Sequence, residues 1–257
     1  MTSVILTFCS FALMALWGLF RPRRRRRFPA LRRRIGNIAF WLFNTTTTAA
    51  LIFVEPDEIR APWQLPLELS FVLGFLLRDL MIYAVHRTYH AVPLLWRLHA
   101  LHHHSDPDVD WSTAVRHHPL EYMLSAAANW VAVLVIGIPA PAIAFHALCG
   151  FTASVAVHGN VRWPPWLERA LQPIVITPDT HLVHHSIDAA EANANFGAVL
   201  SLWDRLFGTY RRLSDEPVFG VRELDPWEAC RPSRMLLTPL TVAPVPASPE
   251  EGTSCAL

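Results

Sequence analysis

Long apolar stretches alternate along the chain with short polar segments. Residues 2–20 contain no charged side chain and have the length of a membrane-spanning helix, which needs about 20 apolar residues. Similar stretches follow at 35–54, 67–85, 122–138 and 142–157. The pattern predicts an all-α integral membrane protein that crosses the bilayer several times, with about four to five membrane helices.

The first two stretches each have an alternative interpretation. Residues 2–20 could be a secretory signal, but the basic residues follow the stretch instead of preceding it. The stretch at 35–54 contains Asn44 followed by four consecutive threonines, so it could dip into the membrane instead of crossing it. Residues 67–85 contain Arg78 and Asp79, which we expect to face the protein interior because intramembrane charges normally do so.

The distribution of charge predicts the orientation. The chain has no lysine, and nine of its 22 arginines lie between Arg21 and Arg34. By the positive-inside rule this arginine-rich loop is cytoplasmic. The hydrophobic stretches on both sides of the loop favour anionic lipid headgroups over nucleic acid as its partner, so we predict no nucleic-acid partner.

All 13 histidines lie between His86 and His185. Most of them fall into three tight groups, which are His86 with His90, then His99 with His102, His103 and His104, and finally His181 with His184 and His185. Residues three and four positions apart share one face of a helix, so each group is predicted to point two or three imidazoles the same way. Counting crossings from the arginine-rich loop places these groups, and His158 at the end of the fifth stretch, on the cytoplasmic face.

Imidazole is a good ligand for iron, zinc, copper and nickel. The groups supply more ligands than the four of a tetrahedral zinc site, and they therefore predict a histidine-rich cytoplasmic cap that holds two metal ions. The predicted ligands are His86, His90, His99, His102, His103, His158, His181, His184 and His185. His104 and His118 are further candidates, whereas His117 and His146 are interpreted as structural.

The carboxylates are assigned a supporting role. No Glu-x-x-His motif is present, which excludes the soluble carboxylate-bridged di-iron bundles. Nearby carboxylates are instead predicted to orient the imidazoles by accepting from the second ring nitrogen. The candidates are Asp106, Asp108, Asp110, Glu121, Asp179 and Asp188.

The histidine groups belong to a longer pattern. Its parts are His86-Arg-x-x-His90, His99-x-x-His102-His103, Arg116-x-His118-Pro119-x-Glu121, His158-x-Asn160, Thr177-Pro178-x-x-His181-x-x-His184-His185, Asn195-Phe196-Gly197 and Trp203-Asp204-Arg205-Leu206-Phe207-Gly208-Thr209-Tyr210. From about residue 70 to 212 the pattern resembles the fatty acid hydroxylase / sterol desaturase superfamily of integral-membrane di-iron enzymes.

The second histidine group departs from that family pattern. In the family, Ser-Asp-Pro usually follows the His-His pair directly, whereas here one extra histidine precedes Ser105. Counting back from Ser105 selects His103 and His104 as the pair, and counting forward from Trp96 selects His102 and His103. Helical periodicity turns His104 away from the others and favours His102 and His103.

The resemblance implies an enzyme that uses two Fe2+ ions, with O2 as co-substrate, to oxidise a C–H bond of a membrane lipid such as a fatty acyl chain or a sterol. It divides the chain into N-terminal membrane helices with the arginine-rich cytoplasmic loop (1–66), a fatty acid hydroxylase-like catalytic domain (67–212) and a C-terminal tail (213–257) with a disordered end. No flavin, haem or Rossmann glycine motif is present, so electrons are expected from an external reductase, ferredoxin or cytochrome.

Several reactions are compatible with such a site. Hydroxylation is favoured, with desaturation and ether-lipid cleavage as alternatives, because these reactions differ in how the substrate lies relative to the metal. A metal-dependent membrane hydrolase would use the same histidines to activate water. A metal transporter or storage protein would be expected to place its ligands inside the membrane, where only His146 falls.

Overall fold

The computed structural model describes residues 9, 12–18, 20–24, 30–51, 63–104, 109–214, 217–221 and 231–242. Within these ranges the chain forms helices and three isolated β-bridges, and no β-strand. The predicted all-helical class is therefore confirmed.

The helices are numbered in chain order. They are α1 (Ala30–Leu51), α2 (Leu67–Ala91), α3 (Pro93–His103), α4 (Pro119–Ile136), α5 (Ala140–His158), α6 (Pro165–Leu171), α7 (Pro178–His184), α8 (Ala189–Ala192), α9 (Leu202–Leu206) and α10 (Pro232–Thr241). Residues 12–18 are also helical. Helix α2 contains a π-helical turn at Ser70–Gly74, and a 3₁₀ helix lies at Trp111–Val115.

Helices α2, α4 and α5 are long and apolar enough to cross a membrane. They coincide with the predicted stretches at 67–85, 122–138 and 142–157. Most of 2–20 lies outside the described residues, and 35–54 falls largely in α1, which is not among the candidate spans of the described chain. Three candidate spans are thus established by length and composition, and the total of four to five stays a prediction.

Helix α1 contacts the segment before α4 through polar side chains. The buried Arg33 donates to Asp110 at 2.6 Å, Asn37 donates to Ser112 at 3.0 Å, and Asn44 donates to the His117 carbonyl at 2.7 Å. The contacts of Asn37 and Asn44 account for the two asparagines within the second apolar stretch.

Asp110 organises this contact. It caps the 3₁₀ helix by accepting from the Ser112 backbone N–H at 3.0 Å, and it also accepts from Arg34 at 2.9 Å. Burial opposes the ionised carboxylate, but Arg33 and Arg34 outweigh burial and lower the pKa of Asp110. The result is a charged clamp between α1 and the segment that leads into α4.

A sharp turn joins α2 to α3. Val92 is extended, as expected for the residue before a proline, and Pro93 begins the next helix at a position that needs no N–H. The two helices therefore fold back on each other. The turn brings the His90 and His99 rings to a centroid separation of 5.0 Å.

The segment after α8 is fixed by two buried aspartates. Asp79 of α2 accepts from the Trp203 indole at 2.9 Å and from the Leu200 N–H at 3.1 Å. Asp204 accepts from the N–H groups of Phe196 at 2.7 Å and Gly197 at 2.8 Å. These bonds hold the backbone of 194–197 in one place beside α2 and α7.

Candidate metal centre

The described residues contain two groups of histidines whose ring nitrogens converge. The first group consists of His86, His90, His99, His103 and His184. The second group consists of His102, His158, His181 and His185. Within each group the nitrogens lie within 4.8 Å of one another. The structure therefore brings together all nine histidines that the sequence predicted as ligands.

Two helices supply side chains to both groups. His99 and His103 of α3 are four residues apart and belong to the first group, whereas His102 belongs to the second. At the end of α7, His184 belongs to the first group and His185 to the second. The two groups are adjacent, since the His103 and His185 ring centroids are 4.7 Å apart.

The hydrogen bonds of the first group fix where its ring protons lie. His86 Nδ1 is 2.8 Å from the Phe196 carbonyl oxygen, and His184 Nδ1 is 2.8 Å from the Ala194 carbonyl oxygen. A carbonyl only accepts, so each Nδ1 carries the hydrogen and each neutral ring presents a lone pair at Nε2. These two Nε2 atoms are 3.0 Å apart. Two lone pairs therefore face each other without a proton between them.

The second group repeats this arrangement. His158 Nδ1 donates to the Ser154 carbonyl at 2.7 Å, and His102 Nδ1 donates to the Arg116 carbonyl at 3.3 Å. The Nε2 atom of His158 then lies 3.1 Å from that of His102, 2.9 Å from that of His181 and 3.1 Å from that of His185.

These separations have the size expected for ligands around one cation. With metal–nitrogen bonds of about 2.05 Å, two ligands are about 2.9 Å apart at a right angle and about 3.3 Å apart in a tetrahedron. The separations from His158 Nε2 to the other three Nε2 atoms, and between those of His181 and His185, are 2.9 to 3.2 Å. The spacing of the donors therefore fits a transition-metal ion.

The charge state of the rings fits a metal site as well. Burial lowers the pKa values of His102, His103, His184 and His185 well below the usual range of histidine, so these rings are neutral at pH 7. Neutral imidazole is the form that binds metal. Among the described residues, the buried His103 Nε2 has no hydrogen-bond partner, which an ion in the first group would provide.

Glu121 of α4 connects the first group to His117. His99 Nδ1 is 2.7 Å and His117 Nδ1 is 2.9 Å from the same Glu121 oxygen. His117 also stacks on His102 at 4.6 Å. Burial disfavours the charged form of His117, but Glu121 outweighs burial and raises its pKa. Glu121 thus lies where it was predicted to lie, against a ring nitrogen of a candidate ligand.

The other carboxylates have different positions. Asp110 binds Arg33 and Arg34, Asp179 binds Arg23, and the exposed Asp188 caps α8 by accepting from Ala190 N–H at 2.9 Å. Asp106 and Asp108 lie outside the described residues.

Three further histidines lie outside both groups. His104 follows the last residue of α3 and is buried there. His118 caps α4, where its Nδ1 accepts from the Leu120 N–H at 3.2 Å. His146 is buried in α5, with its ring 5.3 Å from that of Phe75. Of the second sequence group, His99, His102 and His103 therefore lie in the converging groups and His104 does not.

A cavity of about 210 Å³ adjoins both groups. Its wall includes His86, His99, His158 and His181 together with side chains of the three candidate spans, such as Val85. Most of the exposed surface in the cavity is apolar. The cavity therefore connects the converging nitrogens with the apolar space between the candidate membrane helices.

Residues 71–209 match the family model for fatty acid hydroxylases, which is more than half of the chain. The chain belongs to the fatty acid hydroxylase family. All nine histidines of the two groups lie inside the region that this family match covers.

Relatives of this fatty acid hydroxylase family member include lipid-modifying enzymes. It is 32% identical over 151 residues to the ornithine lipid hydroxylase OlsE of Rhizobium tropici, and the aligned region covers 58% of this chain and 44% of that protein. It is 30% identical over 164 residues to the human alkylglycerol monooxygenase, and the aligned region covers 62% of this chain and 34% of that protein. The chain thus spans less than half the length of these relatives. No solved structure gives a significant match.

Two features of this fatty acid hydroxylase family site were not foreseen from the sequence. His117 was interpreted as structural, but it shares Glu121 with His99. Asn129 lines the cavity and accepts from Arg78. An amide in the middle of an apolar stretch, with an arginine in the neighbouring stretch, was the signal available in the sequence.

Proposed function

We propose that the chain is a membrane-bound di-iron oxygenase that hydroxylates a C–H bond of a lipid with O2 and electrons from an external donor. The observation that carries the proposal is the pair of facing lone pairs on His86 and His184, whose Nε2 atoms are 3.0 Å apart. A buried cation between the rings would turn this repulsion into attraction. Family membership makes iron the cation that we propose.

The nine histidines would hold two ions, one in each group. Iron, when bound, would supply the two-electron activation of O2. The protein fixes the orientation of three of the rings, because the Ala194 and Phe196 carbonyls and the Glu121 carboxylate each accept a ring N–H. Such partners fix the orientation of a ligand and raise its basicity.

The proposed reaction places one oxygen atom of O2 in a C–H bond and releases the other as water, with two electrons and two protons consumed. The sequence contains no motif for a flavin or haem that could supply the electrons. We therefore propose a reductase, ferredoxin or cytochrome as the donor.

The cavity beside the histidine groups is the proposed site of the lipid. Its walls come from the helices that are able to cross a membrane, so an acyl chain would reach the metals from the bilayer. The apolar lining would exclude water from the reacting carbon.

We also propose that the histidine groups and the arginine-rich loop lie together on the cytoplasmic side. Arg23 of the loop binds Asp179 of α7, and Arg24 N–H donates to Asn160, just after α5, at 3.1 Å. Contacts between the loop and the ends of histidine-bearing helices support this arrangement. The total of four to five membrane helices and the division into 1–66, 67–212 and 213–257 remain part of the proposal. Labelling of single cysteines from either side of sealed vesicles tests it.

The experiment for the reaction combines metal analysis with product analysis. Purified protein in detergent is expected to contain two irons per chain and, with a lipid, isotope-labelled O2 and a reductant, to give a product with one labelled oxygen. Loss of two hydrogens without oxygen gain would identify a desaturase instead. A product formed under anaerobic conditions would identify a metal-dependent hydrolase and overturn the proposal.

A second candidate is oxidation next to an ether oxygen. The similarity to the human alkylglycerol monooxygenase favours it. The same experiment with an alkyl ether of glycerol distinguishes the two, because hydroxylation of the carbon that bears the oxygen gives an unstable product that releases an aldehyde.

A further inference from the structure

Arg78 lies near the middle of α2, eleven residues after Leu67 and thirteen before Ala91. A charged side chain at such a position is costly and usually serves a function. Its guanidinium donates from Nε to Asn129 Oδ1 of α4 at 2.7 Å. Arg78 is therefore paired with a neutral amide between two candidate spans.

The neighbouring carboxylate does not neutralise Arg78 directly. Successive residues point about 100° apart around a helix, and Asp79 is bound to Trp203 and to the Leu200 N–H. Within the part of the chain that the structure describes, Arg78 forms no ion pair and donates only to Asn129. The hydrogen bond of the guanidinium thus goes to the Asn129 amide.

The bond to Arg78 fixes which way the Asn129 amide points. A guanidinium has no acceptor, so the amide oxygen must face it and the amide NH₂ must face elsewhere. No described residue accepts from Asn129 Nδ2. A hydrogen bond to a cation also polarises the amide, which makes its N–H groups better donors.

Asn129 lies in the wall of the cavity that adjoins the histidine groups. It is eight residues after Glu121 on the same helix, or about 12 Å along the helix axis. The other polar side chains on this face of α4 have partners, since Ser125 pairs with the Tyr89 hydroxyl at 2.9 Å and Glu121 accepts from His99. The Asn129 amide is therefore a donor in the same cavity as the histidines, about two helical turns along α4 from Glu121.

We propose that Arg78 and Asn129 form a recognition site for an oxygen atom in the lipid substrate. The substrate class is a lipid with an ether, ester or amide oxygen remote from the carbon that is oxidised, because Asn129 lies about 12 Å along α4 from Glu121, which binds His99. This inference rests on the proposed function in that the cavity is taken as the lipid site. A polar contact of this kind in an apolar cavity fixes the orientation of a ligand.

The recognition site has a consequence for the position of oxidation. When a lipid is held by its oxygen, the carbon that lies beside the proposed metals is always the same number of bonds from that oxygen, whatever the length of the chain. A lipid held only by apolar contacts can slide along the cavity and is oxidised at several positions.

The test compares a long-chain alkyl ether of glycerol, its ester-linked counterpart and an isostere in which a methylene replaces the linking oxygen. Wild-type protein is expected to bind the two oxygen-containing lipids about ten-fold more tightly than the isostere, which is the size expected for one hydrogen bond. Their oxidation is expected at one position counted from the oxygen. Binding is measured by displacement of a fluorescent lipid and the position by mass spectrometry.

Two variants separate recognition from a structural role. Asn129→Leu removes the donor and is expected to erase the ten-fold preference and spread the oxidation over several carbons. Asn129→Asp keeps the size of the side chain and an oxygen partner for Arg78 but has no N–H, and it is expected to erase the preference as well. Unchanged binding of the isostere serves as the control for folding.

Preserved discrimination in Asn129→Asp would overturn the inference, because the residue would then act only as a partner for Arg78. Equal binding of all three lipids by the wild-type protein would overturn it too. The displacement measurement needs no turnover, so a protein that discriminates the lipids but oxidises none would contradict the proposed function and leave the recognition site standing.

Discussion

At the scale of single residues, the positions of the ring nitrogens distinguish His103 from His104 more sharply than sequence spacing does. His103 lies in the first group, and its buried Nε2 has no partner among the described residues. His104 is also buried, but it lies outside both groups. The His103 and His104 rings are neighbours in sequence and both are buried, but only the His103 ring lies among converging nitrogens.

This difference gives a paired prediction. His103→Gln removes a nitrogen donor from the first group and is expected to lower iron content by at least half, because the remaining set is incomplete. His104→Gln is expected to keep the wild-type iron content. Metal analysis of both purified variants provides the measurement, and equal losses in the two variants would contradict the selection of His103.

At the scale of elements, the clamp between α1 and the 3₁₀ helix is connected to the second histidine group. Asp110 and Arg33 are both buried, and their side chains form an ion pair in which Arg33 Nη2 lies 2.6 Å from Asp110 Oδ2. The same short segment continues to the Arg116 carbonyl, which accepts from His102. The position of α1 is therefore connected to the orientation of a ring in the second group.

Asp110→Asn is expected to destabilise the protein by about 3–5 kcal/mol, because it removes the carboxylate charge from a buried ion pair with Arg33. Thermal unfolding in detergent measures the loss. Asp188→Asn is the matched control, since asparagine caps a helix about as well as aspartate, and a change within about 0.5 kcal/mol is expected.

The pH dependence of this clamp has a definite sign. Arg33 and Arg34 lower the pKa of Asp110 in the folded protein, so its contribution is complete above the ordinary aspartate pKa of about 4. The contribution is lost as the pH falls through the lowered value. The stability difference between wild type and Asp110→Asn is therefore expected to be constant from pH 7 to about 4 and to shrink below that.

At the scale of the whole molecule, three candidate spans enclose one cavity beside the histidines. Gly150 of α5 lines it, and a Cβ added there would meet no atom within 4 Å. Gly150→Phe is expected to fill part of this space and reduce lipid oxidation at least ten-fold with unchanged iron content. Gly150→Ala should retain most activity. Wild-type turnover in Gly150→Phe, measured with the same lipid, would exclude the cavity as the substrate site.

Much of this arrangement was predictable from the sequence, and the reason lies in helical periodicity. Positions three and four apart share a face, so eight of the nine converging histidines could be selected before their partners were known. His158 was selected because it ends the fifth apolar stretch. Periodicity says nothing about which faces meet. The bond of Arg78 to Asn129, the sharing of Glu121 by His99 and His117, and the polar contacts of α1 depend on the packing of separate helices.

The sharing of helices between the two histidine groups has a consequence for metal loading. His102 and His103 are neighbours on α3, and His184 and His185 are neighbours at the end of α7, yet each pair divides between the groups. Filling one group therefore fixes the backbone that presents the other. Iron uptake is expected to be cooperative, so native mass spectrometry during a titration should show chains with no iron and chains with two, and few with one. Partial iron starvation would then lower the number of active molecules and leave the activity of each one unchanged.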